Sequence, residues 1–244
     1  MHQPLRVVFD FSCPYCYLLW GYVQDLRRTS PVPVEWLPWE INPELEPEGR
    51  ALQPGAPGIS QPDQLGASLG LIPSARTVLA NTHQALAALE FAKDLGQGDA
   101  WLDVVFPAHF AGDRDIGQLP VLLQLAQEIG LDAQALETAL QAGRYNRRLL
   151  DNEAYCQEHQ IEWVPTVLWG QEKLLEGVIT FSVFKSRIIR PCFPFRSYLT
   201  VKIIIKYFIY SVCSVSLLLN IVIFNFTYLV SISLVLDILV QVSL

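Results

Sequence analysis

Residues 5–17 read Leu-Arg-Val-Val-Phe-Asp-Phe-Ser-Cys-Pro-Tyr-Cys-Tyr. No other stretch constrains the chain as much. The run up to Phe11 is apolar, β-branched and aromatic, the composition of a buried strand. From Pro14 to about Arg28, Leu18, Leu19, Tyr22, Val23 and Leu26 recur at three-to-four spacing, which marks one face of a helix. The two cysteines therefore stand where a strand hands over to a helix. A helix N-terminus offers unpaired N–H donors and a partial positive charge. The thiolate is the nucleophile in disulfide exchange, so Cys13, just ahead of that terminus, is expected to be the attacking thiol. Pro14 suits the first helical turn, where its missing N–H would be unpaired in any case. Cys16 falls one turn on, close enough to close a small ring with Cys13, and is expected to resolve the mixed disulfide. Tyr15 lies between them, and such a dipeptide tunes the thiolate. An inert buried pair and half a zinc site are the rival readings. No second C-x-x-C and no pair of histidines at metal-ligand spacing supplies the missing ligands, so no metal is expected.

A chain of 244 residues can bury a sizeable core in one or two domains. Its net charge of −7 argues against a nucleic-acid partner, which calls for a basic stripe. The five cysteines, an odd count, do not make a secreted disulfide framework. Met1 to Pro4 leads straight into the first strand with no separate apolar leader. The expected compartment is the cytoplasm, where a C-x-x-C is more often catalytic than structural.

Further along, Val32–Trp36 reads as a second strand, parallel to the first through the helical crossover. Pro33 points to a sheet edge, because proline cannot donate to a ladder. Residues 42–73 are rich in Pro, Gly and Glu and read as loop, with a short helix possible around Pro62–Gly70. Residues 74–160 read as helical throughout. Ser74 caps a helix over Ala75–Leu95 closed by Gly96; Asp99 caps the next, to Phe110; Pro120 starts a third, ending before Gly130. Asp132 caps a fourth ending near Gly143, and Tyr145–His159 makes a fifth. Thr166–Trp169 and Lys173–Val178 flank Gly170-Gln171 as a β-hairpin, and Thr180–Ile188 reads as a last helix. The resulting fold class is α/β: β-α-β, a helical block, then β-β-α, a thioredoxin-like framework with an inserted all-helical domain. The expected boundaries are 4–41 and 145–188 for the two parts of the framework, 42–144 for the loop and insertion, and 189–244 for a tail.

Five segments carry a resemblance: Cys13-Pro14-Tyr15-Cys16, Asn81-Thr82-His83, Leu89-Glu90-Phe91-Ala92-Lys93, Phe106-Pro107-Ala108-His109-Phe110 and Val164-Pro165-Thr166. Through them, over residues 4–188, the chain resembles the DsbA-like thioredoxin superfamily. It is most similar to the FrnE-type oxidoreductases, near the 2-hydroxychromene-2-carboxylate isomerases and kappa-class glutathione transferases. The resemblance implies disulfide exchange at Cys13 and Cys16. It also implies that Pro165 is a cis proline facing the pair, with the Val164 backbone exposed to a substrate chain. Pro14, Tyr15, Val164 and Pro165 are thus the expected substrate-binding residues. The isomerase and transferase branches usually carry serine where Cys13 stands, so the intact pair favours the redox branch. Ile161-Glu162-Trp163-Val164 departs from the glycine-rich residues more usual before that proline.

Several residues stay open between two roles. Asp10 is either a proton shuttle for Cys16 or a solvated carboxylate at a strand end. His83 and His109 either contact substrate or glutathione, or serve packing and surface. Trp36, Trp39 and Trp163 either line an apolar groove or belong to the core. Cys156 is expected to be a core thiol. Beyond Arg190 the composition shifts to Ile, Phe, Ser, Val and Tyr, and residues 207–236 carry no charge. That length suffices to span a bilayer, so the tail is either a membrane anchor or a translation or gene-model artefact. The first functional expectation is a cytoplasmic thiol–disulfide oxidoreductase acting on protein or small-molecule thiols and disulfides. It needs no bound cofactor, with glutathione as a possible co-substrate. The alternatives are a glutathione-dependent isomerase or transferase, in which Cys16 is dispensable, and a non-enzymatic adaptor, in which both cysteines are.

Overall fold

The computed structural model describes residues 4–29, 33–52, 71, 76–178 and 180–192. The chain falls into two compact units, residues 1–184 and 185–244. In the first, strand β1 (Leu5–Phe9) leads into helix α1 (Pro14–Thr29), which crosses to β2 (Val34–Pro38). β1 and β2 pair in parallel, Leu5 opposite Val34 and Phe9 opposite Pro38. β5 (Thr166–Trp169) lies antiparallel on the other side of β1, and β6 (Glu172–Glu176) folds back on β5. The sheet order is β2-β1-β5-β6. β2 is therefore an edge strand, as Pro33 implied. Pro33 stands just before the strand, and its carbonyl accepts from Leu5 N at 2.9 Å.

The apolar run of β1 does not alternate because both faces of this central strand are covered. On one face Phe9 meets Phe11, Trp36 and Phe106 at centroid distances of 5.1, 5.2 and 5.7 Å. On the other, Val8, Leu37 and Leu168 pack with Cys156 and Ile161. Burying each large apolar side chain stabilises the fold by about 1.5–3 kcal/mol. Edge-to-face ring pairs add about 0.5–1.5 kcal/mol.

Between β2 and β5, the described residues form a two-stranded arm, β3 (Arg50–Ala51) with β4 (Val78–Leu79), and five helices. The helices are α2 (His83–Asp94), α3 (Gly98–Phe110), α4 (Leu119–Glu128), α5 (Ala133–Gln141) and α6 (Asn146–Glu158). Asp132 caps α5 as expected, accepting from Gln134 N and Ala135 N at 3.0 and 3.1 Å. Gly96 and Gly130, just past α2 and α4, adopt the left-handed backbone that ends helices.

Two sequence expectations are corrected here. The first insertion helix does not start at Ala75: Val78–Leu79 is strand, and α2 begins at His83. The β-branched Thr77 and Val78 suit an extended arm, and Asn81 Oδ1 accepts from His83 N at 3.0 Å, which sets the helix start. Asp99 is not the cap of α3. It lies in the first turn behind Gln97, where its charge suits the helix dipole, and it pairs with Arg27 of α1 at 2.8 Å.

A last helix, α7 (Phe181–Cys192), follows β6. Phe184 is buried and its ring lies 5.7 Å from that of Tyr22. Ser74, the Pro62–Gly70 helix and the uncharged stretch 207–236 lie outside the described residues. Among the described residues no helix is long and apolar enough to cross a membrane.

Candidate active site

β1 ends at Phe9, and the chain turns through Asp10–Cys13 into α1. Cys13 N donates to Asp10 O at 3.3 Å, which closes the turn. The Cys13 carbonyl then accepts from Cys16 N and Tyr17 N at 3.1 and 3.2 Å, the first bonds of the helix. Cys13 thus stands at the head of α1, with Pro14 as its first residue. Both cysteines are buried and unbonded as free thiols, and Pro14 and Tyr15 are half-buried beside them.

The two thiols are driven apart electrostatically. Cys13 is pulled below the ordinary thiol range, first by the hydrogen bond from the Cys16 thiol. Burial opposes the shift, and the backbone N–H groups of Cys16 and Tyr15 assist it. Cys16 is pushed well above that range by burial, and further by sharing its proton with Cys13. One thiol is thereby prepared as a nucleophile while its neighbour holds a proton.

The chain returns to this point from α6. The Val164–Pro165 peptide bond is cis, and Val164 O lies 3.7 Å from Cys13 Sγ. Four contacts hold the loop around it. Thr166 Oγ1 donates to Trp163 O at 2.6 Å, and Gly177 N donates to Pro165 O at 2.9 Å. Glu176 Oε1 accepts from Glu162 N and Trp163 N at 3.0 and 3.4 Å. Gly177 has φ +76°, a left-handed conformation that suits glycine at this turn. Trp163 is 66 % exposed, a large aromatic face at the rim next to Val164.

Asp10 is not a solvated carboxylate; it is fully buried under the turn. Oδ1 accepts from Ser12 N at 2.6 Å, and Oδ2 accepts from Ile41 N and Thr82 Oγ1 at 3.0 Å each. Burial raises its pKa against these hydrogen bonds. Its charge in turn raises both thiols. Thr82 of the Asn81-Thr82-His83 segment thus ties the start of α2 to the turn beneath the cysteines.

The remaining candidates separate. His83 pairs through Nδ1 with Glu40 at 2.9 Å, and that carboxylate raises its pKa. His109 is buried, with Nδ1 3.2 Å from Arg114 O and Nε2 3.4 Å from Arg76 Nη1. The three tryptophans go to three environments: Trp36 to the aromatic core, Trp39 against the Val8–Cys156 cluster, Trp163 to the surface. Cys156 is a core thiol whose pKa burial pushes up to about 12. Among the described residues no cluster of His, Cys, Asp or Glu is placed to hold a metal.

Three contributors were not legible in the sequence. Arg76 Nη1 donates to Ser12 O at 3.3 Å, Glu176 holds the loop before Pro165, and Ile41 N bonds Asp10. Each acts across 14 to 64 positions of sequence, and none sits in a motif.

Residues 5–188 match the DSBA-like thioredoxin domain. The chain belongs to that family. A curated relative, the uncharacterized protein YwbO of Bacillus subtilis (strain 168), is 28% identical over 198 residues, which is 75% of this chain and 94% of the relative. The probable DsbA oxidoreductase SCO1869 from Streptomyces coelicolor superposes with a TM-score of 0.67 at 22% identity, covering 77% of this chain and 89% of that one. A 2-hydroxychromene-2-carboxylate isomerase gives 0.59 at 15% identity, with 70% and 88% covered. The cytosolic disulfide reductase DsbM from Pseudomonas aeruginosa, solved with GSH, gives 0.53 at 21% identity, with 67% and 84% covered. These similarities support the thioredoxin-like fold of this chain.

Proposed function

We propose that this DSBA-like protein is a thiol–disulfide oxidoreductase of the cytoplasm, working through Cys13 and Cys16. One observation carries the reading: a lowered Cys13 thiol beside a raised Cys16 thiol at the head of one helix, with Cys13 facing the Val164–Pro165 loop. The Cys13 thiolate attacks one sulfur of a substrate disulfide. A Cys13–substrate bond forms, and the other substrate sulfur leaves as a thiolate. Cys16 then loses its proton and attacks Cys13 Sγ. The second substrate thiolate departs and the pair is left oxidised. Asp10, buried beneath the turn with its carboxylate held by donors and penalised by burial, acts on both thiols by its charge and is the base this reading assigns to the Cys16 proton. Run in reverse, the same steps deliver a disulfide to a dithiol. No bound cofactor is needed. Glutathione is a reasonable electron partner, since a structurally similar disulfide reductase was solved with it. Val164, Pro165, Pro14 and Tyr15 frame the site where a substrate sulfur approaches, and the exposed ring of Trp163 extends that rim.

The test is the redox equilibrium of the pair in glutathione buffers. A reversible Cys13–Cys16 disulfide with a definite potential is expected. A folded protein that never forms it would sink the oxidoreductase reading and leave the glutathione-dependent isomerase as the one to assay.

A further inference from the structure

Arg76 and His109 are not needed by the exchange steps above, yet both are built against the cysteine turn. His109 sits inside α3, buried, with Nδ1 3.2 Å from Arg114 O, its carbonyl partner among the described residues. A carbonyl can only accept, so Nδ1 carries the proton and Nε2 is left as an acceptor. Arg76 Nη1 lies 3.4 Å from that Nε2 and also 3.3 Å from Ser12 O. The guanidinium lies over the Phe110 ring, 4.6 Å from its centroid. Phe110 in turn stacks on Tyr17 of α1, at 4.8 Å and 10° between planes. The cation is therefore fixed on three sides: by a neutral imidazole, by an aromatic face and by the carbonyl one residue before Cys13. The guanidinium bonds both acceptors through Nη1 while its carbon lies over the ring, an arrangement that the shorter, point-like charge of a lysine reproduces only in part.

We propose that Arg76, held by neutral His109 and by Phe110, is a positioning residue that fixes the Ser12–Cys13 peptide and so sets the stability of the Cys13 thiolate. The inference rests on the oxidoreductase reading and names a residue that tunes it. Bonding by Arg76 keeps the Ser12 carbonyl pinned, so that the peptide cannot rotate its oxygen toward the sulfur. The fixed positive charge beside the turn favours the anion over the thiol.

The experiment is the pH profile of Cys13 alkylation by iodoacetamide in the reduced protein, with the site of labelling identified by mass spectrometry. Arg76→Gln, Arg76→Lys and His109→Gln are compared with the parent chain. Arg76→Gln is expected to shift the midpoint to higher pH and to slow alkylation at neutral pH about three- to tenfold. Arg76→Lys keeps the charge but loses the fork, and should recover only part of that loss. His109→Gln can offer an amide oxygen to Arg76 and should fall between Arg76→Lys and the parent. Thermal melts identify any variant that fails to fold; since Arg76 is only half-buried, its two variants keep the test open if His109→Gln does not fold. Folded Arg76 variants with an unchanged midpoint would overturn the proposal while leaving the redox reading intact. A parent protein with no depressed midpoint at all would overturn both.

Discussion

Two regions of this molecule bury thiols, and they do so to opposite effect. In the turn between β1 and α1, Cys13 is buried, yet its pKa falls. On α6, Cys156 is buried among Val8, Leu37, Ile161 and Leu168, and its pKa rises to about 12. Burial by itself disfavours the charged form in both places. The difference is in donors. Cys13 faces a neighbouring thiol and the backbone N–H groups of Cys16 and Tyr15 at a helix start, whereas the Cys156 side chain faces hydrocarbon. Thiol reactivity here is set by the donors aimed at the sulfur, first the Cys16 thiol and then the backbone, and removing those donors should make the first region behave like the second.

The largest effect is expected from the thiols themselves. Cys13→Ser should abolish disulfide exchange, a loss of at least about a thousandfold, since a serine hydroxyl is not deprotonated near neutral pH and forms no disulfide. Cys16→Ser should instead leave the attack intact and accumulate the mixed disulfide on Cys13, visible by intact mass. Exchange at wild-type rate by Cys16→Ser would break the assignment of the two roles and favour a glutathione-dependent isomerase.

The next test is directed at the buried carboxylate. Asp10→Asn removes a charge that raises both thiols and also removes a base. Two opposite changes are expected in one variant. The midpoint of Cys13 alkylation should fall, while release of the mixed disulfide by Cys16 slows about tenfold or more. If release is unaffected, Asp10 is not the proton acceptor and serves only to order the turn through Ser12 N, Ile41 N and Thr82 Oγ1.

A third test reads stability. His109 is held neutral, its pKa lowered to about 4 by burial and by Arg76. The groups facing it are Arg76, the Arg114 carbonyl, and the more distant Asp113 and Asp115, which pull the other way. The unfolded chain protonates this imidazole near pH 6.5 and the folded chain does not until about 4. Between those values the unfolded state binds more protons, so stability is lost as pH falls. The loss attributable to His109 is about 3 kcal/mol across that window. Denaturant melts of His109→Gln should lack that part of the acid sensitivity; equal slopes in both proteins would mean that His109 protonates freely in the fold.

Why some of this was legible in the sequence and some was not follows from range. The strand–turn–helix around Cys13 is local: apolar run, cysteines, proline and helix periodicity sit within a few turns of chain. The cap Asp132 acts over two or three positions and is legible for that reason, whereas Asp99, equally near a helix start, is not a cap. The boundary at Ser74–Ala75 was misplaced because a short arm, Val78–Leu79, is fixed by its distant partner Arg50–Ala51 and not by its own pattern. Asp10 looked ambiguous for the same reason. Its burial depends on Ile41 and Thr82, which reach it from 31 and 72 positions away. Arg76 left no trace in the sequence at all, since a guanidinium on a ring and a carbonyl has no spacing rule.

The smallest effect, and the sharpest comparison, belongs to Cys156. Its helix carbonyl accepts from Ile161 N at 2.9 Å, and Ile161 begins the segment that carries Trp163 and Val164 to the cysteines. Position alone would allow this thiol to influence the site. Its surroundings argue otherwise: it is a small apolar filler, two residues before the exposed end of its helix. Cys156→Ala should cost about 1 kcal/mol through a small cavity. Cys156→Ser should cost more, because a hydroxyl there must be desolvated among hydrocarbons. Neither should move the alkylation midpoint of Cys13 or the equilibrium of the Cys13–Cys16 pair. In the native parent protein Cys156 should resist iodoacetamide at a pH where Cys13 is fully labelled, and should react once the chain is unfolded. Native labelling of Cys156 at a rate near that of Cys13 would mean that the two buried regions differ less than their hydrogen bonds imply, and that local opening rather than donor placement governs which thiol reacts.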